Sequence, residues 1–152
     1  MAIRFGDLKD SSLVAKKLKD MRIVCCASPE YLILHGKPKE PAALATYNCL
    51  LQTTSGNLDH WEFRKNDKIE NVSVNGNFRA NSPLAIAHMA AGGMKVGRIP
   101  LYTAEPFLAA CRLKLLFESL EAKVLGLYVV YPPSRHLTAR IRALIDHLST
   151  VS

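Results

Sequence analysis

The chain has no apolar run near the ~18–20 residues that a membrane-spanning helix needs, so such a span is not expected. Its longest uncharged apolar stretch, Val124 to Pro133, is strand-sized and interrupted by Gly126. The opening Met-Ala-Ile-Arg-Phe-Gly-Asp has neither the apolar core nor the cleavage site of a secretory leader, which points to the cytoplasm. Cysteine is scarce, with four residues at 25, 26, 49 and 111 and no paired spacing. Cys25 and Cys26 would face opposite sides of a strand and could not grip one ion together, so all four are expected to be reduced core thiols. The five histidines, at 35, 60, 88, 136 and 147, have no metal-ligand spacing. There is no Gly-x-Ser-x-Gly elbow, no Gly-Lys-Ser/Thr phosphate loop and no dinucleotide fingerprint. No catalytic residue, metal or cofactor is therefore expected, and the chain reads as a non-enzyme.

What is present suits a packed domain. A hydrophobic share of 49% over 152 residues can supply one ordinary core or two small lobes. Twenty basic and thirteen acidic residues give a net charge of +7. The basic residues are scattered from Arg4 to Arg142, and Lys9, Lys16, Lys17, Lys19 and Arg22 are diluted by Asp7, Asp10 and Asp20. No aromatic residues interleave with them, so a solvated surface is expected and not a nucleic-acid platform. Glu118 and Glu121 read as solvated, His88 as a packed histidine within a helix, and Trp61 as half-buried on an alternating strand.

Strands are expected at Met21 to Cys26, Asn48 to Gln52, Met94 to Ile99, Leu113 to Phe117 and Val124 to Tyr131. Trp61 to Arg64 and Val72 to Arg79 look like hairpin arms around a turn at 65–71, because Val72 and Val74 alternate with polar residues. Ser28 with Pro29 opens a helix that stops at Gly36. Pro41 opens a short helix to Thr46, with Ala42, Leu44 and Ala45 as its apolar face. Asn81 or Ser82 caps a helix that runs to Ala91 and ends at Gly92 and Gly93. Thr103 is expected to cap a further helix, kept short by Pro106. Leu137, Ile141, Leu144, Ile145 and Leu148 share one face of a last helix. Strands alternating with helices indicate an α/β fold with a mainly parallel sheet.

Four blocks in order carry a resemblance. Residues 2–18 (AIRFGDLKDSSLVAKKL), 24–38 (VCCASPEYLILHGKP), Phe78 to Pro100, and 129–148 (VVYPPSRHLTARIRALIDHL) together resemble the effector-binding domain of LysR-type transcriptional regulators. The resemblance implies a type-2 periplasmic-binding-protein-like fold of two α/β lobes, with a small effector held between them. It puts lobe II at residues 28–123 and a partial lobe I at 1–27 and 124–152. The family's winged helix-turn-helix and the opening of its first lobe have no counterpart here. An N-terminally truncated domain is therefore expected, an engineered fragment or the remnant of a broken gene. DNA would be contacted only through that missing part of the parent, and homo-oligomers are implied. Lys95 stands where the family usually has glycine; it either crowds a tight turn or simply points to water.

Helix starts present unpaired N–H groups and partial positive charge, which suit a carboxylate or other anion. The candidate effector-binding residues are accordingly Asn81, Ser82, Pro83, Ser28, Arg4, Thr53 and Thr103, with Gln52 beside Thr53. Arg4 would be a counter-charge at the end of a strand. Two other readings stay open, a solute-binding transport component of the same fold and an interaction-only remnant without ligand. Missing first-lobe strands would leave sheet edge and apolar surface unpaired, so self-association is expected.

Overall fold

The computed structural model describes residues 2–5, 12–54, 57–122, 124–133 and 138–151. Of the residues singled out above, Met1, Asp7, Lys9, Asp10, Lys123, His136 and Leu137 lie outside that set. The chain opens with β1 (Ala2–Phe5), β2 (Val14–Ala27), α1 (Pro29–His35), the 3-10 helix η1 (Pro41–Thr46), β3 (Asn48–Gln52), β4 (His60–Lys65) and β5 (Lys68–Ser73). It continues with β6 (Asn75–Ala80), α2 (Pro83–Ala91), β7 (Gly97–Pro100) and α3 (Leu101–Ala109). Then come β8 (Lys114–Leu116), the 3-10 helix η2 (Glu118–Leu120), β9 (Val124–Tyr131) and α4 (Ala139–Val151). Two compact units divide it, Met1–Met21 with Val124–Ser152, and Arg22–Lys123.

In the smaller unit the strand order is β1-β9-β2, with β1 antiparallel to β9 and Ala2 opposite Val130. Val129, Val130 and Ile145 are buried there, while Leu144, expected on the apolar face of α4, is exposed. Lys16 on β2 reaches Asp146 on α4 at 3.4 Å. That pair is exposed and contributes little.

The larger unit is a mixed sheet between two layers. β3 runs parallel to β6, and Cys49 forms a parallel bridge with Val96 at the entry to β7. β7 and β8 both pair antiparallel with the end of β2. The sheet is thus mixed: β3, β6, β7 and β8 run in one direction and the end of β2 runs against them. The faces alternate residue by residue as the pleat requires. Cys25, Ala27, Cys49 and Leu51 pack with Tyr31, Leu44, Trp61, Phe63 and Val72 on one side. Val24, Cys26, Leu50 and Ile99 pack under α2 and α3 on the other. The adjacent cysteines do face opposite ways.

Local departures from expectation each have a physical reason. The hairpin joins β4 to β5 through Asn66 and Asp67, both at positive φ (51° and 60°), the twist-matched two-residue turn that Asn and Asp tolerate. β6 is therefore free to pair elsewhere. η1 winds three residues per turn, so Pro41 and Leu44 are buried while Ala42 and Ala45 are exposed. Trp61 is fully packed at 3% exposure, not half-buried. Glu121 is not simply solvated, since its two oxygens accept from Nε and Nη2 of Arg22 at 2.8 Å each. Cys111 is exposed, unlike the other three thiols. Lys95 neither points to water nor sits at positive φ. It is buried, its Nζ donates to Asn77 Oδ1, and it lies 6.0 Å from the centre of the Phe78 ring.

Candidate ligand-binding site

Strand direction brings the site together. β3 and β6 are parallel and end side by side, with Gln52 opposite Ala80 and the Thr53 N–H donating to the Ala80 carbonyl at 2.9 Å. β7 follows β3 in the same sense, held by Leu50 N–H on the Val96 carbonyl at 2.8 Å. The carboxyl ends of all three strands therefore leave the sheet at one edge, where open α/β sheets bind ligands. The two helices that follow, α2 and α3, start at that edge.

The two starts differ. Ser82 is the N-cap of α2, in extended backbone (φ −105°, ψ 119°), and its Oγ accepts the Ala85 N–H at 3.3 Å. Pro83 takes the first helical position, where a missing N–H is harmless. Asn81 precedes the cap and is exposed, so the capping alternative resolves to Ser82. α3 begins at Leu101 directly after the strand, with Pro100 at the cap position and no side-chain capping bond. Thr103 is thus not a cap; it is the third residue of α3. Pro100, which has neither a side-chain acceptor nor an N–H, starts the helix three residues earlier than a Thr103 cap would.

Between these starts lies a hollow of about 530 Å³ lined by Ser82, Pro83, Leu84, Tyr102, Thr103, Pro106 and Phe107. Ser82, Pro83 and Thr103 were expected. Leu84, Tyr102, Pro106 and Phe107 were not, although a helix beginning at Leu101 would have put Tyr102 and Pro106 on the same flank. No lysine, arginine or histidine lines the hollow, so its positive character comes from the helix starts alone.

Ser28 and Thr53 do not line the hollow. Ser28 caps α1 by accepting the Tyr31 N–H at 3.1 Å and is fully buried. Because β2 is antiparallel to β7, Ser28 sits at the opposite edge of the sheet, next to Gly93. It offers a ligand no surface. Thr53 is exposed at the edge shared with Asn81 but does not line the hollow, and Gln52 Nε2 is bonded to Thr54 Oγ1 at 2.8 Å. Arg4 is exposed on β1 of the smaller unit.

The remaining titratable groups support no chemistry at this edge. Burial pushes the Cys26 and Cys49 thiols up to about 12 and that of Cys25 higher still, so all three stay protonated. Burial also lowers Arg98, whose guanidinium lies 6.0 Å from the Trp61 ring on the far face of the sheet. His60 holds the Asp59 carboxyl below its ordinary range through a 2.9 Å contact on an exposed loop. Among the described residues no cluster of His, Cys, Asp and Glu could hold a metal, and no helix is long and apolar enough to cross a membrane.

Known proteins share this design. Residues 1–152 match the LysR substrate binding domain family. A probable HTH-type transcriptional regulator, LtrA of Klebsiella pneumoniae, is 30% identical over 98% of this chain and 49% of its own length. The regulatory domain of CrgA, a LysR-type transcriptional regulator from Neisseria meningitidis, superposes with a TM-score of 0.83 at 27% identity, covering 98% of this chain and 74% of that one. Full-length AphB, a virulence activator of Vibrio cholerae, gives the same TM-score at 22% identity over 98% of this chain and 50% of its own, a likeness of fold. The chain spans about half the length of the curated relatives it matches.

Proposed function

This chain belongs to the LysR substrate-binding domain family, the effector-binding regulatory part of LysR-type transcriptional regulators, and on that premise we propose that its effector is sensed at the hollow between the starts of α2 and α3. The observation that carries this is that Ser82 and Thr103, from two different helix starts, line one hollow at the carboxyl edge of the sheet. Two helix starts facing one space favour an anionic group, so a small carboxylate is the expected occupant. Asn81, Pro83 and Thr53 border the same edge and complete the candidate set. Occupancy would act by stabilising one of two pre-existing conformations of the regulator. The two compact units correspond, in this reading, to the lobes of a type-2 periplasmic-binding-protein-like fold. Promoter DNA, homo-oligomers and the cytoplasm are proposed for the whole regulator, on the strength of its HTH-type relatives.

Thermal-shift screening of the 152-residue chain against small carboxylates tests the reading. A Tm rise that shrinks in Ser82→Ala is expected. The reading fails if no compound shifts Tm, or if the shift is the same in the variant.

A further inference from the structure

We propose that the effector is a monocarboxylate with an apolar, ring-sized body, and that α3 selects it through Tyr102, Thr103, Pro106 and Phe107. This rests on the hollow being the effector site and adds the chemical class. Thr103 is the central observation. The residue is only 7% exposed, its hydroxyl makes no hydrogen bond among the described residues, and no buried side-chain N or O there lacks a partner. The hydroxyl must therefore sit on the small part of Thr103 that remains open, which is the wall of the hollow. Ser82 Oγ is already engaged as an acceptor, whereas the start of α3 has no side-chain acceptor. An incoming carboxylate oxygen supplies what α3 lacks.

The rest of the lining sets the remainder of the ligand. Pro83, Leu84, Pro106, Phe107 and the Tyr102 ring are apolar surface, with no cation or amide among them. One carboxylate can be met by the hydroxyls and helix starts. A second would be pressed against proline and phenylalanine without a partner, which is strongly unfavourable. The Phe107 ring is met by the His88 ring, edge-on at 5.0 Å and exposed where a packed histidine was expected, and by the exposed Arg112 guanidinium at 5.7 Å. A volume of about 530 Å³ falls within the range of small-molecule sites.

Calorimetric titration of the 152-residue chain with phenylacetate, hexanoate, phenylacetamide and succinate tests this. Phenylacetate and hexanoate should bind, and succinate should bind at least about tenfold more weakly, with phenylacetamide in between. Thr103→Val, near-isosteric, should weaken phenylacetate about fivefold. Tyr102→Ala, at a residue 45% exposed, should weaken phenylacetate more than hexanoate. Succinate binding as tightly as phenylacetate, or binding that Ser82→Ala weakens but Thr103→Val and Tyr102→Ala do not, overturns the class and leaves the effector site standing. If none of the four compounds binds, or if Ser82→Ala changes nothing, the effector site itself is wrong.

Discussion

The two edges of the larger unit's sheet use the same residue types for opposite ends. At the amino edge Ser28 caps α1 in complete burial, Lys95 is tied to Asn77, and Asn48 Nδ2 reaches the same Asn77 oxygen at 3.4 Å. At the carboxyl edge Ser82 also caps a helix, but it opens on a hollow beside the unbonded Thr103 hydroxyl. Ser28 and Lys95 at the first edge are buried, whereas Ser82 and Thr103 at the second line a hollow. Being polar and at a helix start therefore does not by itself leave a residue open to solvent; the strand direction that delivers it matters too.

The comparison breaks most sharply at Gly76, where β6 begins. An added Cβ would lie 1.8 Å from the Cys49 carbonyl oxygen, so Gly76→Ala must push two backbones apart. A loss of about 3 kcal/mol in urea unfolding is expected, the upper end of overpacking costs. Next come the paired serines. Ser28→Ala should cost about 1–2 kcal/mol and leave phenylacetate affinity unchanged, while Ser82→Ala should cost about 1 kcal/mol and weaken it. Equal effects of both on affinity would erase the distinction between the edges. Lys95→Gly should destabilise by about 1 kcal/mol by losing the bond to Asn77 and freeing the backbone. A gain in stability would mean that Lys95 does strain its turn.

The smallest effects concern the thiols. One cysteine, Cys111, should react with a thiol reagent in the native protein at neutral pH, and all four in urea. The sign for pH follows from Cys26 and Cys49, whose folded values are raised to about 12 from an ordinary 9.0. Their contribution is complete below pH 9, where both states are protonated, and fades as pH climbs towards 12 because only the unfolded thiols release their protons. Urea midpoints measured across that range should fall, and a Cys26→Ala variant should fall less.

Features written in neighbouring residues were legible before any coordinates. Ser28-Pro29 and Ser82-Pro83 announced α1 and α2, and β9 occupies the expected Val124–Tyr131. What escaped depended on distant partners. Nothing near Ser28 reveals that β2 runs against β7 and carries it to the edge opposite Ser82. Pro100 offers no cap, so α3 is expected three residues late and Thr103 given a capping role it does not have. Lys95 looked exposed because its bonding partner, Asn77, belongs to a different strand.

The bare opening of α3 has one more consequence. A helix whose first turn lacks a side-chain acceptor exchanges its leading amide hydrogens readily. In this chain those amides, around Leu101 and Thr103, would act as a built-in gauge. Their deuterium uptake should slow when the hollow fills, while uptake at the Ser28-capped start of α1 stays constant and supplies the zero of the scale.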